Sequence, residues 1–157
     1  LQSPYIEKVI ADCCKIKKTI VQQDEKEKNL RKVLNLGHTF AHAYEAALGY
    51  SKKLNHGEAV ILGIKSAAKF SMENKFLTKK KYNKIQSHIN HLNLPNNLNK
   101  FFSKKNINLI LNFMKSDKKN NSEDINLILL KDIGKPIINI NFKIEKIRKF
   151  FKNELLN

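Results

Sequence analysis

A chain of 157 residues with 41% hydrophobic content is long enough to build a real core and too apolar to remain disordered. Its formal charge of +16 invites a nucleic-acid reading, but only two of the 30 basic residues are arginines, the side chain best suited to bidentate phosphate and base contacts. The 28 Lys, 20 Asn and 18 Ile read as a compositional drift with lysines on a solvated surface, and in the absence of a binding motif no nucleic-acid partner is expected.

No stretch approaches the length of a membrane span, and the N-terminus lacks the basic-then-apolar order of a signal peptide, so the expectation is one cytoplasmic domain, residues 1–157, with no membrane partner. The first predicted helix runs from Pro4 to about Gln22, with Ser3 as its cap and Pro4 in the first helical position. Ile6, Val9, Ile10, Cys13, Ile16 and Ile20 form its apolar stripe. Cys13 and Cys14 are adjacent, too close for an ordinary disulfide, and read as packing residues in a reducing compartment. Lys17 stands off the stripe, with Lys18 as the alternative if the register slips. Asp24 to Arg31 is a charged turn whose plain reading is an acidic helix start.

Asn35 to Ala46, followed by His56 to Val60, carries the densest chemistry in the chain. Three of the five histidines fall within nineteen residues. His38 and His42 are four apart, so on a helix both rings leave the same face, the spacing at which two imidazoles can share a metal or bracket one substrate. The plainer reading of such a pair is a polar helix edge. Gly49 sits where a helix beginning near Gly37 would end, and a loop from Tyr50 to Asn55 lets His56 open the next helix and converge on the pair. Gly37 and Gly57 stand beside the histidines, where a ligand could approach the backbone closely.

That next helix is expected from His56 to about Met72, with Val60, Ile61, Ile64, Ala67 and Ala68 inward. Thr78 then caps a helix to about Leu92 with Tyr82, Ile85, Ile89 and Leu92 on one face, closed by Leu94-Pro95. His88 and His91 on it read as surface residues. An apolar helix follows near Asn106 to Lys115, then a polar stretch from Ser116 to Ser122. Its Asn120-Asn121-Ser122 acceptor pattern is put down to chance in an Asn-rich chain. The runs Ile125–Leu130 and Ile137–Ile140 flank Gly134 as a β-hairpin, and Phe142 to Leu155 closes as an amphipathic helix through Ile144, Ile147, Phe150 and Phe151. The fold class is mainly α with a small β-hairpin. Internal repeats, Gly/Ser linkers and a G-x-G-x-x-G loop are absent from the sequence.

The run from Asp24 to Ala43 resembles the D-E-x-E-x-G-x-R-x-x-L-N-x-G-H-T-x-G-H-A signature of the 3-dehydroquinate synthase family, and Leu54 to Val60 resembles its L-x-H-G-E-A-V block. The similarity continues through Leu94-Pro95, Asp117-Lys118-Lys119, Ile128-Leu129-Leu130 and Ile133-Gly134-Lys135. It spans nearly the whole chain but only the C-terminal half of that enzyme. Asn29 and Ala41 replace two glycines of the signature; Asn29 is a mild change because Asn tolerates positive φ, and the Ala41 methyl should tighten helix packing.

The resemblance implies the helical metal- and substrate-binding domain of an enzyme that converts 3-deoxy-D-arabino-heptulosonate 7-phosphate to 3-dehydroquinate with release of phosphate, in the shikimate pathway to aromatic amino acids. It implies NAD, held mainly by an N-terminal half that this chain lacks, zinc or cobalt as the metal, a homodimer when full length, and little activity for the chain alone. It assigns His38 and His56 as metal ligands and His42 as a hydrogen-bond and proton-relay group near the substrate phosphate and the reacting hydroxyl. Asn35 would donate to the phosphate, Lys17 and Arg31 would hold the carboxylate and hydroxyl side, and Glu27 would order these groups. Lys118 or Lys119 would reach the phosphate. The third ligand of the family is a glutamate upstream of this chain; Glu58, two residues from His56 on a helix, points elsewhere. Three other readings stay open: a sister sugar-phosphate cyclase, an iron-dependent alcohol dehydrogenase relative, and a basic helical nucleic-acid-binding module.

Overall fold

The computed structural model describes residues 2–91, 95–116 and 124–155, and these fall into two compact units, residues 1–35 and residues 36–157. The first unit holds α1 (Tyr5–Gln23) and a 3-10 helix (Leu30–Asn35). Pro4, not Ser3, is the residue that caps α1. The apolar stripe expected to be packed is not covered within this unit: Ile6, Val9, Ile10 and Ile16 are exposed, as are Cys13 and Cys14, while Ile20 is half-buried. A unit of this size has one long helix and one short turn, too little surface to bury both sides of either.

The charged turn after α1 is not a helix start. The Asp24 carboxylate accepts the backbone N–H groups of Lys28, Asn29 and Arg31 at 2.9, 2.7 and 3.0 Å, folding the chain back before the 3-10 helix begins. The residue that takes the left-handed conformation there is Glu27, at φ 52°, not Asn29.

The second unit is built from α2 (His38–Ala47), α3 (His56–Glu73), α4 (Lys79–Asn90), α5 (Ile107–Ser116), the strands β1 (Asp124–Asp132) and β2 (Lys135–Lys143), and α6 (Ile144–Glu154). The mainly helical class and the hairpin expected from the sequence are both present. The strands pair antiparallel with Ile125 opposite Phe142 and Leu127 opposite Ile140, and Gly134 turns the hairpin at φ 74°. Thr78 caps α4 through its hydroxyl, but the helix stops at Asn90, and Leu92 and Leu94 lie outside the described residues.

Phe40 and Tyr44 of α2, Phe70 of α3, Phe142 of β2 and Phe150 and Phe151 of α6 form an aromatic core, with Phe70 set edge-on to Phe142 and Phe150 at centroid distances of 4.8 and 5.3 Å. The buried hydroxyl of Tyr44 meets that of Ser66 at 2.8 Å, and burial pushes the phenol's pKa far upward. Ser71 donates to the Ala67 carbonyl and accepts the Leu130 N–H at 2.9 Å, tying α3 to β1.

The inward face of α3 differs from expectation. Ala59, Leu62, Gly63, Ser66, Ala67, Ala68, Phe70 and Ser71 are buried, whereas Val60, Ile61 and Ile64 are only half-buried. Small residues take the centre because α2 lies almost backbone to backbone on α3, and the β-branched residues are displaced to the flanks of the contact. Among the described residues, no helix is long and apolar enough to cross a membrane.

Candidate functional site

The amphipathic pattern of α2 places its chemistry. Phe40, Ala41, Ala43 and Tyr44 face the core, which leaves His38, His42 and Glu45, at steps of four and three, on the opposite stripe. The stripe is aimed by the entry of the helix. Gly37, at φ 81°, starts α2 with its backbone against α3, so closely that a Cβ there would lie 2.5 Å from the Ile64 nitrogen. Gly37 is therefore a packing glycine and not a point of ligand approach; Gly57 has open space around its Cα. At the other end Gly49 and Tyr50 take positive φ and their N–H groups return to the Ala46 and Glu45 carbonyls, which ends α2 as expected.

His56 opens α3 as the sequence suggests, and it closes on the first pair. Ring centroids are 5.5 Å apart for His38 and His42, 5.9 Å for His38 and His56, and 6.2 Å for His42 and His56, the last two rings nearly parallel. The Glu58 carboxylate accepts the Asn55 N–H at 2.9 Å, an N-cap role that keeps it away from the imidazoles. His88 is exposed on α4, and His91 is exposed at its C-cap, where its ring bonds to the Ser87 carbonyl.

His38 is half-buried. Burial pushes its pKa below the ordinary imidazole value, the neighbouring His42 and His56 add to that, and the Leu36 carbonyl and Glu45 oppose it. A ring kept neutral is the form that binds metal. Two imidazoles sharing one ion at the ~2 Å zinc–nitrogen distance have centroids on the order of 5–6 Å apart, a spacing that the His38–His56 and His38–His42 pairs both meet. Among the described residues, no three His, Cys, Asp or Glu side chains form a metal-holding group. Either pair would need a further ligand from outside that set.

One residue of this cluster was not singled out by the sequence reading. Glu45 places both carboxylate oxygens against His56 Nδ1, at 3.1 and 3.2 Å. Its position seven residues after His38 on the same helix was the available signal.

Lys17, Glu27, Arg31 and Asn35 belong to the first unit. Asn35 donates its side-chain N–H to Glu27 Oε1 at 2.8 Å, and Arg31 Nη1 donates to the Glu25 carbonyl at 2.8 Å. Lys17 is exposed on α1. Lys118 and Lys119 lie outside the described residues.

Residues 1–120 match the family model described as 3-dehydroquinate synthase C-terminal. The chain is 57% identical over 155 residues to the 3-dehydroquinate synthase of Pelagibacter ubique (strain HTCC1062), a match covering 99% of this chain and 42% of that protein. It is 36% identical over 154 residues to the 3-dehydroquinate synthase of Rhodopseudomonas palustris (strain BisB18), covering 95% and 40%. The chain thus spans about two-fifths of the length of these relatives. Among solved structures, a 2-deoxy-scyllo-inosose synthase complexed with carbaglucose-6-phosphate, NAD+ and Co2+ superposes with a TM-score of 0.78 at 22% identity, over 96% of this chain and 41% of that one. A 2-epi-5-epi-valiolone synthase from Streptomyces hygroscopicus with NAD+ and Zn2+ bound gives 0.69 at 20% identity, over 86% and 36%. At those identities the likeness speaks for the fold. The family match over residues 1–120 and the close relatives lead to one conclusion: the chain belongs to the 3-dehydroquinate synthase family.

Proposed function

We propose that this chain is the metal- and substrate-binding part of a 3-dehydroquinate synthase, acting on 3-deoxy-D-arabino-heptulosonate 7-phosphate to give 3-dehydroquinate and phosphate. The observation that carries the reading is the gathering of His38, His42 and His56 within 6.2 Å on α2 and α3. His38 and His56 would hold zinc or cobalt, and the ion, when bound, supplies Lewis-acid polarisation of a substrate hydroxyl. NAD, the oxidant of that hydroxyl, would be held mainly by an N-terminal half of the polypeptide, and the whole enzyme would work as a homodimer in the cytoplasm.

The chain's own groups divide the remaining work. His42 is the exposed imidazole of the α2 stripe, free of the metal pair, and would exchange a proton with the substrate near its phosphate. Arg31 would receive the substrate carboxylate in its planar fork, oriented by the bond that Nη1 makes to the Glu25 carbonyl. Asn35, its amide held by Glu27, would donate to the phosphate, and Lys17 would add a positive charge on the carboxylate and hydroxyl side. Lys118 or Lys119 would meet the phosphate. The 157 residues taken alone are expected to release little phosphate, because neither the glutamate ligand nor the NAD site implied by the family falls among these groups.

A polypeptide joining this chain to an NAD-binding half decides the matter when assayed with Co2+ and NAD. NAD-dependent phosphate release from the heptulosonate phosphate, with sedoheptulose 7-phosphate inert, is the expected result. The reverse preference would assign the chain to a sister sugar-phosphate cyclase instead.

A further inference from the structure

Glu45 is nearly buried, its side chain 13% exposed, and it leaves α2 on the same stripe as His38 and His42. Both its oxygens face one atom, Nδ1 of His56, across the gap between α2 and α3. A carboxylate oxygen has no proton to give, so in this contact Nδ1 carries the hydrogen and donates it. In the neutral ring the other nitrogen, Nε2, then keeps its lone pair. A free imidazole favours the opposite tautomer, with the proton on Nε2, where it would block a metal. His38 shows a weaker version of the same arrangement, its Nδ1 lying 3.4 Å from the Leu36 carbonyl oxygen. Both prospective ligands are thus approached at Nδ1 by an oxygen acceptor from α2 or from the residues leading into it.

Resting on the metal reading above, we propose that Glu45 is a positioning residue: it fixes His56 as the Nδ1–H tautomer, sets the ring's orientation and so presents Nε2 to the ion. His56 needs this more than His38 does, because its side chain is 60% exposed and little else restrains the ring. In this role Glu45 acts through His56 and not as a ligand, its two oxygens lying 3.1 and 3.2 Å from Nδ1. This arrangement raises the basicity of the ligating nitrogen and removes the entropy that a freely rotating histidine would lose on binding.

The test uses the 157-residue chain and Co2+ alone as the probe. Long-range proton–nitrogen NMR of the metal-free chain should show His56 as the Nδ1–H tautomer. In Glu45→Ala it should revert towards Nε2–H, with the helical circular dichroism unchanged. Co2+ affinity should fall by about ten- to a hundredfold in Glu45→Ala, and Glu45→Gln should recover most of it, because the amide oxygen still accepts from Nδ1. If Glu45 were itself a ligand, the Gln variant would lose cobalt as fully as Ala, which would overturn the proposal. An Nδ1–H tautomer that persists in Glu45→Ala would overturn it as well. If His56 changes tautomer as expected while the wild-type chain takes up no Co2+ through His38 and His56, the positioning of His56 by Glu45 is upheld and the metal reading falls.

Discussion

Gly37 and Gly63 meet backbone to backbone: a Cβ placed on Gly63 would lie 2.2 Å from the Gly37 carbonyl oxygen and 3.0 Å from the Ala41 nitrogen. This contact sets the start of α2 against the middle of α3, and with it the distance from His38 and His42 to the first turn of α3. Gly63→Ala therefore cannot be absorbed by a side-chain rotation. It should destabilise residues 36–157 by about 1–3 kcal/mol or more, read from chemical denaturation. Stability equal to wild type would mean that α2 and α3 are not so closely apposed.

Ser71 serves two buried partners, the Ala67 carbonyl and the Leu130 N–H. Leu130 stands opposite Pro136 in the hairpin, and its amide takes its acceptor from α3. Ser71→Ala should cost about 1–3 kcal/mol, since an N–H is left buried without its partner. Ser116→Ala, which removes an exposed hydroxyl bonded to the Phe113 carbonyl, should cost far less. Equal losses from the two would remove Ser71 as the link between α3 and the hairpin.

The turn after α1 should be sensitive to acid. The backbone N–H of Arg31, then that of Asn29, and with them that of Lys28 and the charge of Lys32, hold the Asp24 carboxyl below its ordinary pKa. A depressed folded-state pKa means that the contribution of Asp24 is present above the unfolded value, near 3.8, and is lost as pH falls through the folded value. Amide resonances of Lys28, Asn29 and Arg31 should thus shift together at the acid end of a titration, and Asp24→Asn should abolish the shift. Invariant resonances in the wild-type chain would show that Asp24 does not organise the turn.

Arg31 is held by its own backbone neighbour, Nη1 to the Glu25 carbonyl at 2.8 Å, a contact compatible with a second, bidentate task for the rest of the fork. Arg31→Lys keeps the charge and loses the fork. In the polypeptide that carries the NAD-binding half, it should weaken the heptulosonate phosphate by roughly tenfold or more, the equivalent of one charge-assisted hydrogen bond. An unchanged affinity would reduce Arg31 to a structural residue of the turn.

The histidine cluster was legible because its signal is spacing: i and i+4 on one helix, then a histidine opening the next. Periodicity likewise sufficed for α5, the hairpin and most of α6, although Phe142, read as the start of that helix, pairs with Ile125 as part of β2. What escaped were features decided by tertiary contact. The α3 face was misjudged because apolar bulk marks a core only where helices stand a side chain apart, and here Gly63 and Ser66 take the centre. The α1 stripe looked like a core and is exposed in its own unit. Asp24 resembled a helix-start acid, although its partners are three amides of a return turn. Glu45 was passed over because a glutamate on a helix is ordinary until the partner across the gap, His56, is known.

In the proposed site His38 and His56 hold one metal ion, and the distal histidines have no part in it. Titration of Co2+ into the 157-residue chain, followed by visible absorption, tests it most directly. The account predicts imidazole-dependent cobalt bands, readily stripped by a mild chelator, that disappear in His38→Ala and in His56→Ala, persist in His88→Ala and His91→Ala, and leave helicity intact when cobalt is removed. Bands that survive His56→Ala, or that vanish with His91→Ala, would contradict it.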